Sequence, residues 1–396
     1  MDRFHTDKYN IRMTEARRHI NRWWLVSLLL VLLTACAGSD TDTPTPPQPG
    51  QDPVLTFYVY APERPLMTRT ADDDVSALDA ENAIHSLQIW VFESDTKRLV
   101  GYLSPDTYPT DEEGTKYQMS VSKSFANAAT KPNVDVYVVA NAAAAGLSSL
   151  GESTTRDELE DVVIGSDYFG VGAPTSKITE GKGLPMSGVL RNQGIIGSNP
   201  VLSIGEGSTM AKVRLLRAVS KVRFVFCRKT GGETVSITGI TINGNMIPAE
   251  EYVFLTDHDY RIGNSYEPLS ATLLTKPTGD IKQYETPPDY VYNSQTSQDY
   301  ENLIDNGVAN SQLTQAGPYY FKETDKQVSG TITYRVGSAN AQSVSFYMTA
   351  DNINKRFVRN HSWIVYAYYN GPAGEPIISV WVDTNWQSGD YFLIEN

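Results

Sequence analysis

The stretch "VLTFYVYAPERPLMTRTADDD", Val54 to Asp74, decides how this chain is read. In its first seven residues Leu55, Phe57 and Val59 alternate with Thr56, Tyr58 and Tyr60, the period of two that gives a strand one apolar face. Pro62 and Pro65 then punctuate the chain, and Arg69 stands in a polar setting just ahead of the acidic run Asp72 to Asp74. A well-formed strand is thus placed beside an arginine open to proteases.

Downstream, the pattern stays strand-like. The 396 residues carry a formal charge of −13, and 23 Tyr outnumber 12 Phe and 6 Trp. Short Val/Ile/Tyr/Phe/Thr runs are separated by Gly, Pro, Asn and Asp, which predicts an all-β protein of about two domains. In "IHSLQIWVFES" (Ile84 to Ser94), Leu87, Ile89 and Val91 give an aliphatic face, while Trp90 and Phe92 give an aromatic one, so that strand is expected to be covered on both sides. Between residues 142 and 162 lies the best helical candidate, with a Ser or Thr cap ahead of Asp157, Glu158 and Glu160. A domain boundary is expected near residue 206, in the Gly-rich "IGEGS". The dense β run from Lys212 to Arg228 follows, its charges alternating with apolar residues as in a half-exposed strand. Residues 260 to 318 read as long polar loops. Strands then resume, and the sequence closes on the apolar "YFLI", Tyr391 to Ile394.

Upstream, Arg17, Arg18 and Arg22 precede an apolar run of 13 residues, Trp23 to Ala35, short for a membrane span and suited to a secretory signal. It ends in "LTAC", the pattern of a bacterial lipobox, in which the Cys36 thiol takes a lipid such as a palmitate-bearing diacylglycerol. Residues 37–53, rich in Pro, Thr and Asp, form a solvated tether. Cys227 is the other cysteine, so with Cys36 lipidated no intrachain disulfide can form and the cores alone must hold the fold.

Catalytic signals are weak. His5 and His19 lie in the leader, and His85, His258 and His361 are far apart without metal-ligand spacing, so no metal and no cofactor is expected. The acidic runs at Asp72 to Asp74 and Asp111 to Glu113 read as solvated loops, not as a glycosidase pair. An acidic chain is a poor partner for nucleic acid. "NHS" at Asn360 to Ser362 matches a glycosylation acceptor only formally, because it sits in a strand-like run.

The informative feature is the order of the parts, and it resembles the fimbrillins, the lipoprotein-derived pilins of type V pili in Bacteroidia. The resemblance rests on "LTAC", on Arg69 followed by Thr70 and Ala71, and on "SLQIWVF", "VYVVANA", "VRLLRAVSKVRFVF", "VRNHSWIVYAYYNGP" and a closing "TNW". It implies a non-enzymatic subunit of two transthyretin-like β-sandwich domains in tandem, 70–206 and 207–396, with short helices in loops. It also implies export as an outer membrane lipoprotein precursor, then cutting after Arg69 by an Arg-specific protease to leave Thr70 as the new start. Arg64 is the other candidate, but Pro65 follows it. Residues 54–69 become a removable propeptide strand, with Leu55, Phe57 and Val59 displaced. The vacated edge would take an extended donor strand from another subunit, Tyr391, Phe392, Leu393 and Ile394. Such head-to-tail contacts do not close, so they build a filament of this chain and other pilins, displayed at the cell surface toward host or bacterial receptors. An anchor or tip subunit, or a glycan-binding lipoprotein, is the alternative reading.

Overall fold

The alternation at Leu55 to Tyr60 is realised as strand β1 (Val54–Tyr60) in a computed structural model of the chain. The structure describes residues 52–62, 79–110, 114–171, 178, 181–255, 265–284, 313–348, 357–369 and 377–383, and for 377–383 the backbone only. Cys36, residues 37–51 of the tether, Arg64, Arg69, Thr70, Trp386 and the segment Tyr391, Phe392, Leu393, Ile394 lie outside the described residues, whereas Pro53, at the end of the expected tether, is buried and its carbonyl accepts from Val121 N–H at 3.0 Å.

After β1 and a short helix α1 (Asp79–Asn82) come β2 (Leu87–Glu93), β3 (Leu99–Leu103), β4 (Thr115–Ser120), α2 (Lys123–Ala126) and β5 (Val134–Ala140). Helix α3 (Arg156–Glu160) precedes β6 (Val163–Ile164), β7 (Met186–Gln193), β8 (Ile195–Ser198), β9 (Val201–Glu206), β10 (Thr209–Met210), β11 (Lys212–Arg214) and β12 (Leu216–Arg217). The later strands are β13 (Ser220–Lys229), β14 (Val235–Ile242), β15 (Glu251–Tyr252), β16 (Ala271–Thr272), β17 (Gln283–Tyr284) and β18 (Thr314–Phe321). They end with β19 (Ser329–Val336), β20 (Gln342–Tyr347), β21 (Ser362–Tyr369) and β22 (Ile377–Asp383).

Apart from the two-stranded sheet of β6 and β15, these strands form two face-to-face pairs of sheets. The first sheet runs β10-β9-β1-β11 with β4 on β1 and β8 on β9, and the second runs β12-β7-β5-β2-β3. Between them lies a core of Leu55, Phe57, Val59, Ile89, Val91, Val136, Val138 and Leu202, among others. The third sheet, β17-β13-β21-β22 with β18 on β13, faces the fourth, β16-β14-β19-β20, over a core that includes Phe224, Phe226, Ile240, Ile332 and Trp363. This is the all-β sandwich architecture expected from the turn-punctuated runs. The expected division near residue 206 falls in the β9–β10 hairpin, and the strands through Arg217 still pair within the first two sheets.

Strand β2 has the two covered faces read from its sequence. Leu87, Ile89 and Val91 enter the first core, while Trp90 and Phe92 enter a third cluster with Tyr137, Leu159, Val253, Phe254 and Tyr320. That cluster joins the outer face of the second sheet to residues of the later strands, and the chain from Asp52 onward forms one compact unit. The helical candidate is shorter than its sequence window. It divides into a 3-10 turn, Ala142–Ala145, and the five-residue α3, whose Thr155 and Glu158 make a reciprocal capping box.

One expectation is overturned. The charges between Lys212 and Arg228 predict a half-exposed strand, but Arg217, Lys221, Arg223 and Arg228 are all buried. For the three in β13 the cause is coverage on both faces: the strand lies between β18 and β21 and is buried from Ser220 to Arg228, while Arg217 is the last residue of β12. The basic groups of β13 find partners inside instead, as with Lys221 on Glu81 and Arg228 on Asp280.

Candidate functional site

The site is the slot that β1 fills. Along one side β1 pairs antiparallel with β4, from Val54 opposite Ser120 to Val59 opposite Thr115. Along the other it pairs parallel with β9 over Val54 to Thr56 and with β11 over Tyr58 to Tyr60. Bonds just outside these ladders extend the grip: Val54 N–H donates to the Pro200 carbonyl at 2.8 Å, and Leu215 N–H to the Tyr60 carbonyl at 3.0 Å.

Among the described residues β4 and β11 have no strand partner other than β1. The first sheet is therefore closed through this one strand. Taking it out would leave a gap of about 10 Å, two strand spacings, with unpaired N–H and C=O groups on both walls. The floor would be the hollow left by Leu55, Phe57 and Val59, each wholly buried. The three displaced-strand residues read from the sequence are thus together on one face.

The outer face of β1 is also fitted. Thr56 is buried, and its hydroxyl donates to the Leu202 carbonyl at 3.0 Å with Ser203 Oγ 2.7 Å away. The Tyr60 ring lies under two cations, Lys212 Nζ at 5.6 Å and the Arg214 guanidinium at 5.7 Å. It also presses on Gly114, whose φ of +72° suits glycine and where a Cβ would meet the ring at 2.8 Å. The strand is held by both faces and both edges, yet it is joined to the rest of the described chain only beyond Pro62 and, after the undescribed residues 63–78, at Asp79.

Two buried polar clusters lie between the sheet pairs, built from residues that no local pattern brings together. In one, Glu81 meets Lys221, Tyr320 and Arg217. In the other, Arg359 is forked onto Glu323 Oε1 through Nε at 3.0 Å and Nη2 at 2.7 Å, with Glu251 Oε1 at 2.7 Å from Nη2. Arg359 also donates to the carbonyls of Val253 at 2.9 Å and Tyr252 at 2.6 Å. Burial pushes the Glu251 carboxyl well above the usual carboxylate range, against the pull of Arg359. The one sequence signal was Arg-Asn-His at 359–361, which reads as packing and is fully buried. Cys227 is likewise inert: burial raises its thiol to about 12.

His361 donates from Nδ1 to the Arg359 carbonyl at 2.9 Å, and burial lowers its pKa from 6.5 to about 4, the carbonyl bonds opposing the shift. The folded ring stays neutral between those values while the unfolded chain binds a proton, so stability rises with pH through this window and is lost as pH falls through it. The shift corresponds to about 3 kcal/mol. His361→Gln is expected to flatten the stability curve there, as read by urea unfolding at several pH values between about 4 and 7.

Residues 59–219, from within β1 to the end of the first pair of sheets, match the family model described as major fimbrial subunit protein (FimA). No curated protein sequence matches. Among solved structures, the C-terminally truncated tip fimbrial protein Mfa3 of Porphyromonas gingivalis is 15% identical, covering 83% of this chain and 99% of that one, with a TM-score of 0.45. A fimbrial assembly protein of Parabacteroides distasonis is 12% identical over 83% and 95%, with a TM-score of 0.44. The fimbrial anchor protein Mfa2 of Porphyromonas gingivalis is 10% identical over 83% and 97%, with a TM-score of 0.36. These overlaps are loose, and the functional reading rests on the family match.

Proposed function

We propose, from the premise that residues 59–219 are of the major fimbrial subunit family, that this pilus component polymerises by exchanging β1 for a strand of another subunit. The precursor is exported with lipid on Cys36 and held at the outer membrane by the tether of residues 37–53. An Arg-specific protease cuts after Arg69, and β1 leaves together with the lipid anchor.

The observation that carries this reading is that β1 is the sole strand partner of β4 and β11 among the described residues. A cut subunit would carry two open ladders and an apolar hollow, an arrangement that any chain with a matching extended segment would fill. The segment Tyr391, Phe392, Leu393, Ile394, once extended, would present two side chains to each face and would enter as that donor. While β1 is in place the slot is closed, so the uncut precursor cannot polymerise. The assembled fibre at the cell surface would then support adhesion.

The test is N-terminal sequencing and intact-mass measurement of the protein taken from the surface of its native bacterium. A start at Thr70, no lipid and a ladder resistant to SDS are expected. A lipidated start at Cys36 would overturn the mechanism and leave an anchor subunit or a glycan-binding lipoprotein.

A further inference from the structure

Helix α1 is the first described element after residues 63–78, the stretch that contains Arg69, and its Glu81 carboxylate is wholly buried. Glu81 Oε2 accepts from Lys221 Nζ at 2.9 Å, and Oε1 accepts from the Tyr320 hydroxyl at 2.6 Å. Lys221 of β13 and Tyr320 of β18 stand directly opposite each other in the third sheet, so one carboxylate closes a cross-strand pair of the second sandwich.

The same turn is gripped from the first sandwich. Arg217, in β12 of the second sheet, donates from Nε to the Glu81 carbonyl at 3.2 Å and from Nη2 to Asn82 Oδ1. Its Nη1 reaches Asn360 Oδ1 at 2.9 Å, just ahead of β21. Burial lowers Lys221 to about 8 and Arg217 to about 10, while the Glu81 carboxyl sits below its usual range because Lys221, Tyr320 and Arg217 together outweigh the burial that would raise it. All three are therefore charged at neutral pH. A four-residue helix cannot hold itself by its own hydrogen bonds, so the place of α1 is set by these side-chain contacts.

We infer that Glu81 is a latch that pins the chain just behind the cleavage segment across the seam of the two sandwiches, confining the loss of β1 to its slot. Strand β2, which starts at Leu87, is an inner strand of the second sheet, between β3 and β5. With Glu81 seated, a new chain end can fray no further than α1. Without it, fraying runs on toward β2, and the first sandwich loosens from the second. The use of the latch in maturation rests on the proposed cleavage, but its action on α1 is a property of the uncut chain and is measured there.

The experiment is hydrogen exchange read by mass spectrometry on the full chain, before and after limited digestion with an Arg-specific protease. Wild type, Glu81→Gln, Glu81→Ala and Tyr320→Phe are compared, with calorimetry alongside. In the wild type, protection of residues 79–86 is expected to be the same before and after the cut, with a single thermal transition. In Glu81→Ala, exchange there should speed at least about tenfold in the uncut chain, spread into residues 87–93 after the cut, and split the melting into two transitions. Glu81→Gln and Tyr320→Phe, which keep the site's shape, should fall between, and they decide the matter if Glu81→Ala does not fold. Unchanged protection of residues 79–86 in all the folded variants would overturn the latch. Should the protease fail to release β1, the cleavage reading fails, and the uncut comparison still decides the role of Glu81.

Discussion

Replacing Arg359 by methionine is expected to lower the stability of the chain by about 3–5 kcal/mol, because it leaves two carboxylates buried without their cation. Glu251 and Glu323 are both essentially inaccessible, and Glu323 N–H already donates to Glu251 Oε2 at 2.9 Å, so the two acids are held together with little room to separate. Methionine fills much of the volume of the arginine stem, which keeps the loss electrostatic and not a cavity effect. The sign with pH follows from the same geometry. Burial already raises Glu251, and removing Arg359 takes away the strongest of the groups that oppose this, leaving only the Glu323 N–H and Lys322, so the variant relieves its strain by protonating. Its deficit should therefore shrink in mild acid and grow above neutrality. Urea unfolding of wild type and variant at both ends of that range measures it. Replacing Glu251, Glu323 and Arg359 together by apolar residues of similar size should recover most of the loss, since a buried ion cluster is weak in net terms even when breaking it is costly.

Phe57→Ala is the second large effect, also about 3–5 kcal/mol by the loss of a fully buried ring and the cavity it leaves. Phe57 occupies the middle of the slot, with the Tyr117 ring 6.4 Å away and Leu55 and Val59 on either side of it along the strand. The floor beneath it belongs to β2 and β5, rigid strands that are buried on both faces and cannot collapse into the space. The loss should appear in urea unfolding of the uncut chain. Under the proposed strand exchange it has a second consequence: once the chain is cut, the weakened β1 should leave faster, and SDS-resistant multimers should form sooner than in the wild type. A variant with the full loss of stability in the uncut chain and no change in the rate of assembly would count against release of β1 as the controlling step.

Much of this was legible in the sequence because it depends on neighbours along the chain. The alternation of Leu55, Phe57 and Val59 with Thr56 and Tyr58 fixes which face of β1 is apolar, whatever it packs against. The two faces of β2 follow from the same period, and the Thr155 cap with Glu158 is complete within four residues. The expected order of signal, lipobox, tether, strand and arginine needs no tertiary information, and it leads to the fimbrillin resemblance that the match over residues 59–219 bears out.

Local order along the chain, then, sets the strand content and the apolar faces and carries the resemblance to the fimbrillins. Tertiary structure alone decided that β1 is the closing strand of its sheet, because its parallel partners Val201 to Ser203 and Lys212 to Arg214 lie far along the chain, and no local pattern encodes a pairing at that distance. It also decided the fate of the charges. Lys221 and Arg217 look solvent-facing when only their neighbours are counted, but a charge can be buried wherever a counter-charge arrives, and theirs comes from Glu81, 140 and 136 residues away. Local periodicity sets how a segment folds, whereas pairing and burial are set by whatever the fold brings alongside it.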